Sequence, residues 1–416
     1  MNTSSAGRPL RILFSVPGYK PAWRLGGPVV SVPALAEALV RRGNQVTVFA
    51  TNSNFDQVLD VEPNRPHDVN GVEVWYFEKE EPLRRIFPRV EYLTKSLGTL
   101  YSPKMARELS IKVPGVDLVH THLPFNYPTY AAAKAALRHR KPLFYHQRGV
   151  FDPERLKFRA LKKSLYLRWI ELPILRRATT LIALTEAEEE SYRLLGLKAP
   201  VRVIPNGVAL PADDETRPDL IEALGIRPGQ LVILFMSRVH PIKGADKLLE
   251  AFLKIQDRVL EAVLVLAGPD EFGLEAKLRA RANSSGTQRV MFPGMVEGPL
   301  KRALLKRADL FCLPSSAEGF SMAILEALAA NTAVLISPRC HFCEVERAGA
   351  GVVVEPEVGP LAEALEKLAR DKADLGPMGH RGADLVRAKY TWDSVADQMI
   401  DAYEEGITRY RRELVR

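Results

Sequence analysis

The chain has 416 residues, which is too long for one ordinary hydrophobic core and predicts two domains of roughly 200 residues each. Its composition, 46% hydrophobic and 26% charged, is that of a globular protein, and no apolar run reaches the ~18–20 residues needed to cross a bilayer. Three cysteines are too few for a disulfide framework. The start of the chain is typical of a first strand rather than of a signal peptide. Together these features predict a cytoplasmic protein.

The positive charge is concentrated in the first half of the chain. Residues 1–205 carry 31 Lys and Arg against 19 Asp and Glu, a balance of +12, whereas the remainder carries 27 against 31, a balance of −4. A basic first half predicts an anionic partner, which is a phosphorylated ligand, a membrane surface or a nucleic acid.

The first predicted elements are a buried strand over Arg11–Val16, a helix over Val29–Val40 and a second strand over Gln45–Ala50. Between the first strand and the helix lies Gly26-Gly27, where the absence of side chains lets the backbone approach a ligand closely. A plain flexible turn is the alternative. Because no G-x-G-x-x-G follows the first strand, a nicotinamide dinucleotide site is disfavoured.

Two later strands end in histidine. Val116–His120 runs into Thr121-His122, and Pro142–Tyr145 runs into His146. Parallel strands of one βαβ unit place these imidazoles at the same sheet edge, where they serve either a structural or a ligand-binding role. A metal site would need more ligands at suitable spacing, and none is apparent.

Asp152–Ala178 is predicted to be a basic amphipathic helix, kinked or ended by Pro173, with eight Lys and Arg against three acids. Glu80–Lys112 forms a second basic and aromatic segment. Such segments bind anionic membranes, although an ordinary helix with a solvated basic face is the alternative. The polar, proline-rich run Leu210–Pro218 marks a domain boundary.

The second half repeats the alternation of strand and helix. Its predicted strands are Leu231–Met236, Val263–Ala267, Val290–Phe292, Leu310–Leu313, Thr332–Ile336 and Gly351–Val354, and its predicted helices include Ala245–Ile255, Pro360–Asp374, Met378–Tyr390 and a last helix from Thr391. Arg238 and Lys243 lie five positions apart in the loop after the first of these strands, where a guanidinium and an ammonium together suit a diphosphate.

Ser315–Ala330 is the segment with the most chemistry. Glu318 lies in a loop between a strand and a helix, and Glu326 lies in the helix. Between them, the amides of Gly319, Phe320 and Ser321 precede a helix N-terminus, which favours a phosphate or a hydroxyl acceptor. The alternative is a pair of solvated acids.

Metal chemistry is disfavoured by two features of the sequence. Cys340-His341-Phe342-Cys343 is a C-x-x-C without a second pair, so zinc or redox chemistry there is not expected. No D-x-D occurs, so a divalent metal on a diphosphate has no evident carboxylate anchor.

Several motifs in order resemble the retaining GT-B glycosyltransferases of family GT4, and the likeness covers nearly the whole chain. It is most specific at Glu318 and Glu326, which match both ends of the family's E-x7-E motif, and looser between Phe55 and Leu109. The motifs are V-H-T-H-L-P, I-P-N-G-V, S-R-x-H-P-x-K-G, L-A-G-P, E-G-F-S-M-A-I-L-E and E-R-A-G-A-G-V-V-V.

The resemblance implies an α/β protein of GT-B architecture, with two Rossmann-like domains facing across a cleft. Residues 1–208 are expected to form an acceptor-binding domain, residues 209–390 a nucleotide-sugar-binding domain, and residues 391–416 a helix that crosses back to the first domain.

The resemblance also implies residue roles. Glu318 holds hydroxyls of the donor sugar, Glu326 holds the ribose diol, and Arg238 and Lys243 neutralise the departing diphosphate. His146 contacts the donor sugar near the reaction centre. The remaining expected positions are an acceptor contact at His122, sugar or phosphate contacts at Gly319, Phe320 and Ser321, a diphosphate contact at Gly26 and Gly27, and a lining of the base by Gly294, Met295 and Val296.

The implied reaction is metal-independent glycosyl transfer with retention, from a nucleotide sugar to a glycan or a lipid-linked acceptor, in synthesis of a cell-surface polysaccharide. No cofactor is expected. The basic segments imply peripheral attachment to the inner face of the cell membrane. The alternatives are another GT-B enzyme, such as a phosphorylase or a sugar-nucleotide epimerase, and a basic protein that binds an anionic polymer. No recognisable nucleic-acid motif supports the last of these.

Overall fold

The computed structural model describes residues 8–23, 27–54, 57–80, 100–152, 160–211, 217–270 and 272–415. The chain forms two compact units: the first comprises Met1–Gly207 with Trp392–Arg416, and the second comprises Val208–Thr391. The predicted assignment of acceptor and donor binding to separate domains is a functional statement and stays a prediction.

The first unit contains an eight-stranded sheet in the order β10-β9-β8-β7-β1-β2-β6-β5, in which β5 alone is antiparallel to its neighbour. A separate short pair is formed by β3 and β4. The strands are β1 (Arg11–Ser15), β2 (Gln45–Thr51), β3 (Ser53–Asn54), β4 (Gln57–Val58), β5 (Pro66–Val69), β6 (Val72–Phe77), β7 (Leu118–His122), β8 (Leu143–His146), β9 (Thr180–Ala183) and β10 (Val201–Val203). Its helices are α1 (Pro28–Arg41), α2 (Pro103–Lys112), α3 (Tyr127–Arg138), α4 (Ala160–Tyr166), α5 (Leu172–Leu175), α6 (Glu186–Leu194) and, from the end of the chain, α15 (Trp392–Val415).

Both faces of this sheet are buried, as expected of parallel strands between helices. Successive side chains of a strand point to opposite faces. Accordingly Ile12 and Phe14 belong to one buried cluster, with α1 and α15, whereas Leu13 belongs to the other. The predicted return of the last helix to the first unit is confirmed, because α15 packs on α1, where Arg42 pairs with Asp397 at 2.6 Å.

The second unit has a six-stranded parallel sheet in the order β13-β12-β11-β14-β15-β16, which is the strand order of a Rossmann fold. The strands are β11 (Leu231–Met236), β12 (Ala262–Ala267), β13 (Val290–Gly294), β14 (Leu310–Leu313), β15 (Ala333–Ile336) and β16 (Gly351–Val353). The helices are α7 (Pro218–Glu222), α8 (Ala245–Ile255), α9 (Leu274–Ser284), α10 (Gly298–Arg307), α11 (Met322–Ala329), α12 (Glu344–Arg347), α13 (Val358–Arg370) and α14 (Lys372–Lys389).

Each sheet has a topological switch point, at which successive strands are added on opposite sides of a central strand. In the first unit the switch lies between β1 and β7, and in the second it lies between β11 and β14. Ligands of open α/β sheets bind beyond the carboxyl ends of the strands at such points. A ligand site is therefore expected in the loops after these four strands.

Pro173 was predicted to kink or end its helix. The helix is distorted there rather than ended, because the chain widens into a π-helix over Leu167–Glu171 and continues through α5. A π-turn accommodates a proline that cannot donate to the preceding turn. The predicted break between the two helices Pro360–Asp374 and Met378–Tyr390 is misplaced. Helix α14 continues through Pro377, and the break between α13 and α14 falls at Asp371.

None of the helices within the described residues is both long enough and apolar enough to span a bilayer.

Candidate functional site

At the switch point of the second unit, the loop after β11 packs closely on the loop after β14. Gly244 has φ +76°, and a Cβ there would lie 2.3 Å from the carbonyl oxygen of Pro314, so only glycine fits. The amide of Ser316 donates to the carbonyl of Ile242 at 2.7 Å. The two loops that carry the predicted donor-binding residues are thus held together by backbone contacts.

These loops bring Lys243 and Glu318 into direct contact. Lys243 Nζ lies 2.5 Å from Glu318 Oε1, and only 13% and 9% of the two side chains are exposed. Arg238 lies exposed in the same loop as Lys243, two residues after the end of β11. A largely buried ammonium and carboxylate at a strand-end edge suit a ligand that carries both phosphate and hydroxyl groups.

Helix α11 begins beside this pair. Ser321 is its N-cap residue but makes no side-chain capping hydrogen bond, and the first turn contains no acid. The amides of Gly319, Phe320 and the residues that follow lie at the N-terminus of α11, where the helix dipole is positive. No carboxylate of the first turn competes with a ligand for these amides. This arrangement favours an anionic or hydroxyl-bearing ligand.

Glu326 lies on α11 and pairs with a residue that was not predicted. Lys301, from α10, donates to Glu326 Oε1 at 2.7 Å, and the two side chains are 33% and 26% exposed. Lys301 holds one carboxylate oxygen in place and leaves the other for a further donor. The sequence contains no spacing signal for this contact, since the partners are 25 positions apart on different helices.

The predicted base-lining residues divide into surface and core. Met295 is 63% exposed, whereas Val296 is buried in the core of the second unit. Gly294 ends β13, and its carbonyl accepts from the amide of Gly268 at 2.8 Å. The side chain of Val296 therefore anchors this segment to the core. Met295 and the backbone of Gly294 remain accessible to a ligand.

The C-x-x-C cysteines differ in environment. Cys340 is buried, with its Sγ 3.5 Å from the carbonyl oxygen of Leu313, and Cys343 is exposed. Burial raises the pKa of the Cys340 thiol to about 11, so it stays protonated at neutral pH.

At the switch point of the first unit, three histidines come together. His122 and His146 are register partners on β7 and β8, and His120 lies two positions before His122 on the same face. The ring centroids of His120 and His122 are 4.1 Å apart, and those of His122 and His146 are 5.6 Å apart. Phe14 of β1 packs its edge against the first two rings. Gly27 is the N-cap residue of α1, the helix that follows β1, and Gly26 lies outside the described residues.

His120 was not among the predicted site residues, and it supplies the third imidazole that a metal site was expected to lack. Ligand-type atoms of the three rings lie within 4.8 Å of one another. All three rings are buried, and burial lowers the pKa of each well below its ordinary value. The positive charge of Arg148 lowers them further. The histidines are therefore neutral at physiological pH and act as hydrogen-bonding groups.

The loops that follow β7 and β8 hold unusual backbone conformations. Leu123, Phe125 and Arg148 all have positive φ, at +66°, +61° and +52°. Non-glycine residues in this region store strain and cluster at functional sites. The buried carboxylate of Glu171 supports the first loop, accepting from the amide of Phe125 at 2.8 Å and from the hydroxyl of Tyr145 at 2.5 Å.

Comparison with known proteins identifies the family. Residues 216–384 match the model for glycosyl transferases group 1, and residues 25–210 match the model for glycosyltransferase family 4. Together the two matches span most of both units. The chain is a GT-B glycosyltransferase of family GT4.

The curated relatives of this glycosyltransferase include enzymes with inositol-containing substrates in their names. A D-inositol 3-phosphate glycosyltransferase of Jonesia denitrificans is 27% identical, and the alignment covers 91% of each chain. A phosphatidyl-myo-inositol mannosyltransferase of Mycobacterium leprae is 32% identical over 42% of this chain and 47% of its own.

Among solved structures, HepE from Anabaena, in complex with UDP and glucose, aligns with a TM-score of 0.69 at 19% identity. The alignment covers 95% of this chain and 100% of the other. At this identity the likeness shows the fold, and the predicted GT-B fold is confirmed.

Proposed function

We propose that this glycosyltransferase moves a sugar from a nucleotide-sugar donor to a glycan or lipid-linked acceptor, with retention of anomeric configuration and without a metal ion. The observation that carries the proposal is the Lys243–Glu318 pair at the switch point of the second unit. Its ammonium suits the diphosphate of such a donor, and its carboxylate suits the hydroxyls of the sugar.

The donor contacts expected of the second unit each have a physical reason. Glu326, with one oxygen held by Lys301, keeps a second oxygen for the ribose diol. Arg238 supplies a guanidinium to the diphosphate from the loop that also carries Lys243. The amides before α11 favour sugar or phosphate oxygens.

A thermal-shift panel of UDP-, GDP- and ADP-sugars tests donor binding. A ligand that binds only the folded protein raises its melting temperature, by an amount that grows with concentration above Kd. We expect at least one of these nucleotide sugars to stabilise the protein, and Arg238→Ala to weaken that effect. Stabilisation by none of them, or an unchanged response of Arg238→Ala, would contradict the proposal.

The acceptor is proposed to be a growing cell-surface polysaccharide or a lipid-linked glycan. The names of the relatives from Jonesia denitrificans and Mycobacterium leprae add inositol phosphates and phosphatidylinositol to the acceptors worth testing. Stereochemistry is read from the anomeric coupling of the first product formed. An inverted product would contradict the retaining mechanism.

Peripheral attachment to an anionic membrane is proposed for the segments Asp152–Arg177 and Glu80–Lys112, of which residues 153–159 and 81–99 lie outside the described part of the chain. In the described part, Trp169 is 70% exposed and Leu165 is 52% exposed, and the Arg168 guanidinium lies 5.7 Å from the Trp169 ring centroid. Exposed apolar side chains beside cations suit an anionic bilayer surface.

Co-sedimentation with phosphatidylglycerol-containing vesicles tests the attachment. Arg168→Glu together with Trp169→Ala should reduce binding, whereas Arg193→Glu, an exposed change on α6, should not. Equal binding by all three proteins would count against this surface.

A further inference from the structure

Arg148 is a buried cation at the switch point of the first unit, for which neither the motifs nor the comparisons assign a role. It follows His146 by two residues and is 7% exposed. Its Nε donates to His122 Nδ1 at 3.2 Å, and one of its terminal nitrogens donates to Ser31 Oγ and to Asn206 Oδ1, each at 3.0 Å. The side chain is thus fixed by α1, by β7 and by the segment after β10.

The bond to His122 determines where the proton of that ring lies. A guanidinium has five N–H donors and no acceptor, so His122 Nδ1 must accept. A neutral imidazole whose Nδ1 accepts carries its proton on Nε2. His122 therefore presents an Nε2–H inside the histidine cluster.

The other two rings complete the pattern of donors and acceptors. His120 Nδ1 lies 2.7 Å from the hydroxyl of Tyr403 on α15, so its Nε2 remains as the second polar atom of that ring. The Nε2 atoms of His120 and His122, and both ring nitrogens of His146, are buried without a hydrogen-bond partner among the described residues. Buried polar atoms are rarely left so, and such atoms mark a catalytic role or the place of a bound water or ion.

The same bond argues against a metal ion held by all three rings. A metal takes a lone pair from each imidazole, and the lone pair of His122 Nε2 is replaced by a proton while Arg148 donates to Nδ1. A nearby guanidinium charge also opposes a second cation in a buried site. The cluster consequently fits hydrogen bonding better than metal ligation.

We propose that Arg148 is a positioning residue, which fixes His122 as the Nε2–H tautomer and so makes the histidine cluster of the first unit present an N–H donor. The proposal rests on the proposed function only for its catalytic consequence. With the His122 proton on Nε2, that ring presents an N–H donor inside the cluster, where the ligand-type atoms of the three rings lie within 4.8 Å of one another. Without Arg148, both tautomers of His122 become accessible, and the cluster no longer presents a fixed N–H donor.

The charged and titratable groups facing the cluster come from several elements. Arg148 lies in the loop after β8, Tyr403 on α15 and Glu188 on α6, and Glu188 acts on Arg148 through its charge. No carboxylate among the described residues pairs with Arg148 within ion-pair distance, and burial lowers the pKa of the guanidinium to about 10. It remains charged, and able only to donate, throughout the neutral range.

Nitrogen-15 NMR of ring-labelled histidine in the full-length protein tests the tautomer directly. Signals of His122 are assigned by their loss in His122→Gln. In the wild type we expect a protonated Nε2 and an unprotonated Nδ1. In Arg148→Met we expect a mixture of tautomers at His122, whereas Arg148→Lys, which keeps a donor, should restore part of the wild-type pattern. Near-ultraviolet circular dichroism checks that each variant is folded.

A protonated Nδ1 in the wild type, or an unchanged tautomer in Arg148→Met, would overturn the proposal. So would loss of the His122 Nε2 proton on addition of Zn²⁺ alone. Kinetics give the catalytic readout: Arg148→Met should lower kcat by about tenfold or more, as wrong tautomers do elsewhere, with little change in KM for the donor. If the protein transfers no sugar at all, the proposed function fails while the NMR result still decides the tautomer.

Discussion

The Lys243–Glu318 pair is the contact within the candidate site whose removal has the clearest physical consequence. Both side chains are largely buried, so replacing either one leaves the other charge without its partner and largely shielded from water. We expect Lys243→Met or Glu318→Gln to lower the free energy of unfolding by about 1–3 kcal/mol. Scanning calorimetry of the full chain measures this loss.

The double variant Lys243→Met with Glu318→Gln should recover much of that loss, because neither charge remains. Lys247→Met is the matched control: Lys247 pairs with Glu357 at 3.2 Å, but those side chains are 32% and 66% exposed. Its cost should be below about 1 kcal/mol. Equal losses for Lys243→Met and Lys247→Met would show that the site pair is not effectively buried.

The histidine cluster predicts a dependence of stability on pH. The folded-state pKa values of His120, His122 and His146 lie well below the ordinary value of about 6.5, chiefly because the rings are buried. Below that ordinary value the unfolded chain binds protons that the folded chain does not. Stability is therefore retained above about pH 6.5 and is lost as the pH falls from there toward the folded-state values, by up to about 1.4 kcal/mol per pH unit for each ring.

All four tryptophans, at positions 23, 75, 169 and 392, belong to the first unit, so their fluorescence in urea follows its unfolding. His120→Asn should give a shallower loss of stability between pH 7 and pH 5, and His380→Gln, an exposed change in the second unit, should leave the slope as in the wild type. A wild-type slope of zero in this range would contradict burial of neutral histidines.

At this scale the sequence predicts some residues and not others. The period of two along a strand places His120 beside His122, so V-H-T-H already contained the signal for the third histidine. The contacts of Lys301 with Glu326 and of Arg148 with His122 join distant parts of the chain, and no local pattern reveals them.

Among the elements, the loop after β11 depends on Gly244. A side chain there would be strained by the positive φ and would meet the carbonyl of Pro314, so Gly244→Ala should displace Lys243 as well as destabilise the second unit. We expect a loss of donor affinity of about tenfold or more, corresponding to about 1.4 kcal/mol. Isothermal titration with the stabilising nucleotide sugar measures it.

Gly229→Ala separates strain from displacement. Gly229 has a similar φ of +85°, but a Cβ there meets nothing within 4 Å. In this variant the free energy of unfolding should fall by about 1 kcal/mol, while the affinity for the donor stays as in the wild type. If both alanine variants bind the donor like the wild type, the loop does not position the site.

The strands of the second unit were predicted almost to the residue, because buried parallel strands appear as short apolar runs between turn residues. β5 and β6 were not predicted, and Pro173 was expected to disturb its helix at that point. Glu171 lies at the end of the π-helix that precedes Pro173, and its carboxylate accepts from Phe125 and Tyr145. No local pattern in the sequence reveals those contacts, because the partners lie 46 and 26 positions apart along the chain.

At the scale of the whole molecule, each unit places its chemistry by the same rule. In both sheets, successive strands are added on either side of a central strand. The side chains that suit a ligand lie at or just after the carboxyl ends of the strands at the switch point. The order of motifs along the chain was sufficient to predict the fold and the family, whereas the sugar, the base and the acceptor depend on loop surfaces that the motifs do not describe.

The most direct test is the kcat/KM for release of nucleoside diphosphate from UDP-, GDP- and ADP-sugars, with water or a supplied glycan as acceptor, by the wild type, Lys243→Met and Lys247→Met. We expect turnover of at least one donor by the wild type, a loss of about 100-fold or more in Lys243→Met, and a rate near that of the wild type in Lys247→Met. Equal rates for the wild type and Lys243→Met, or no turnover of any nucleotide sugar, would contradict it.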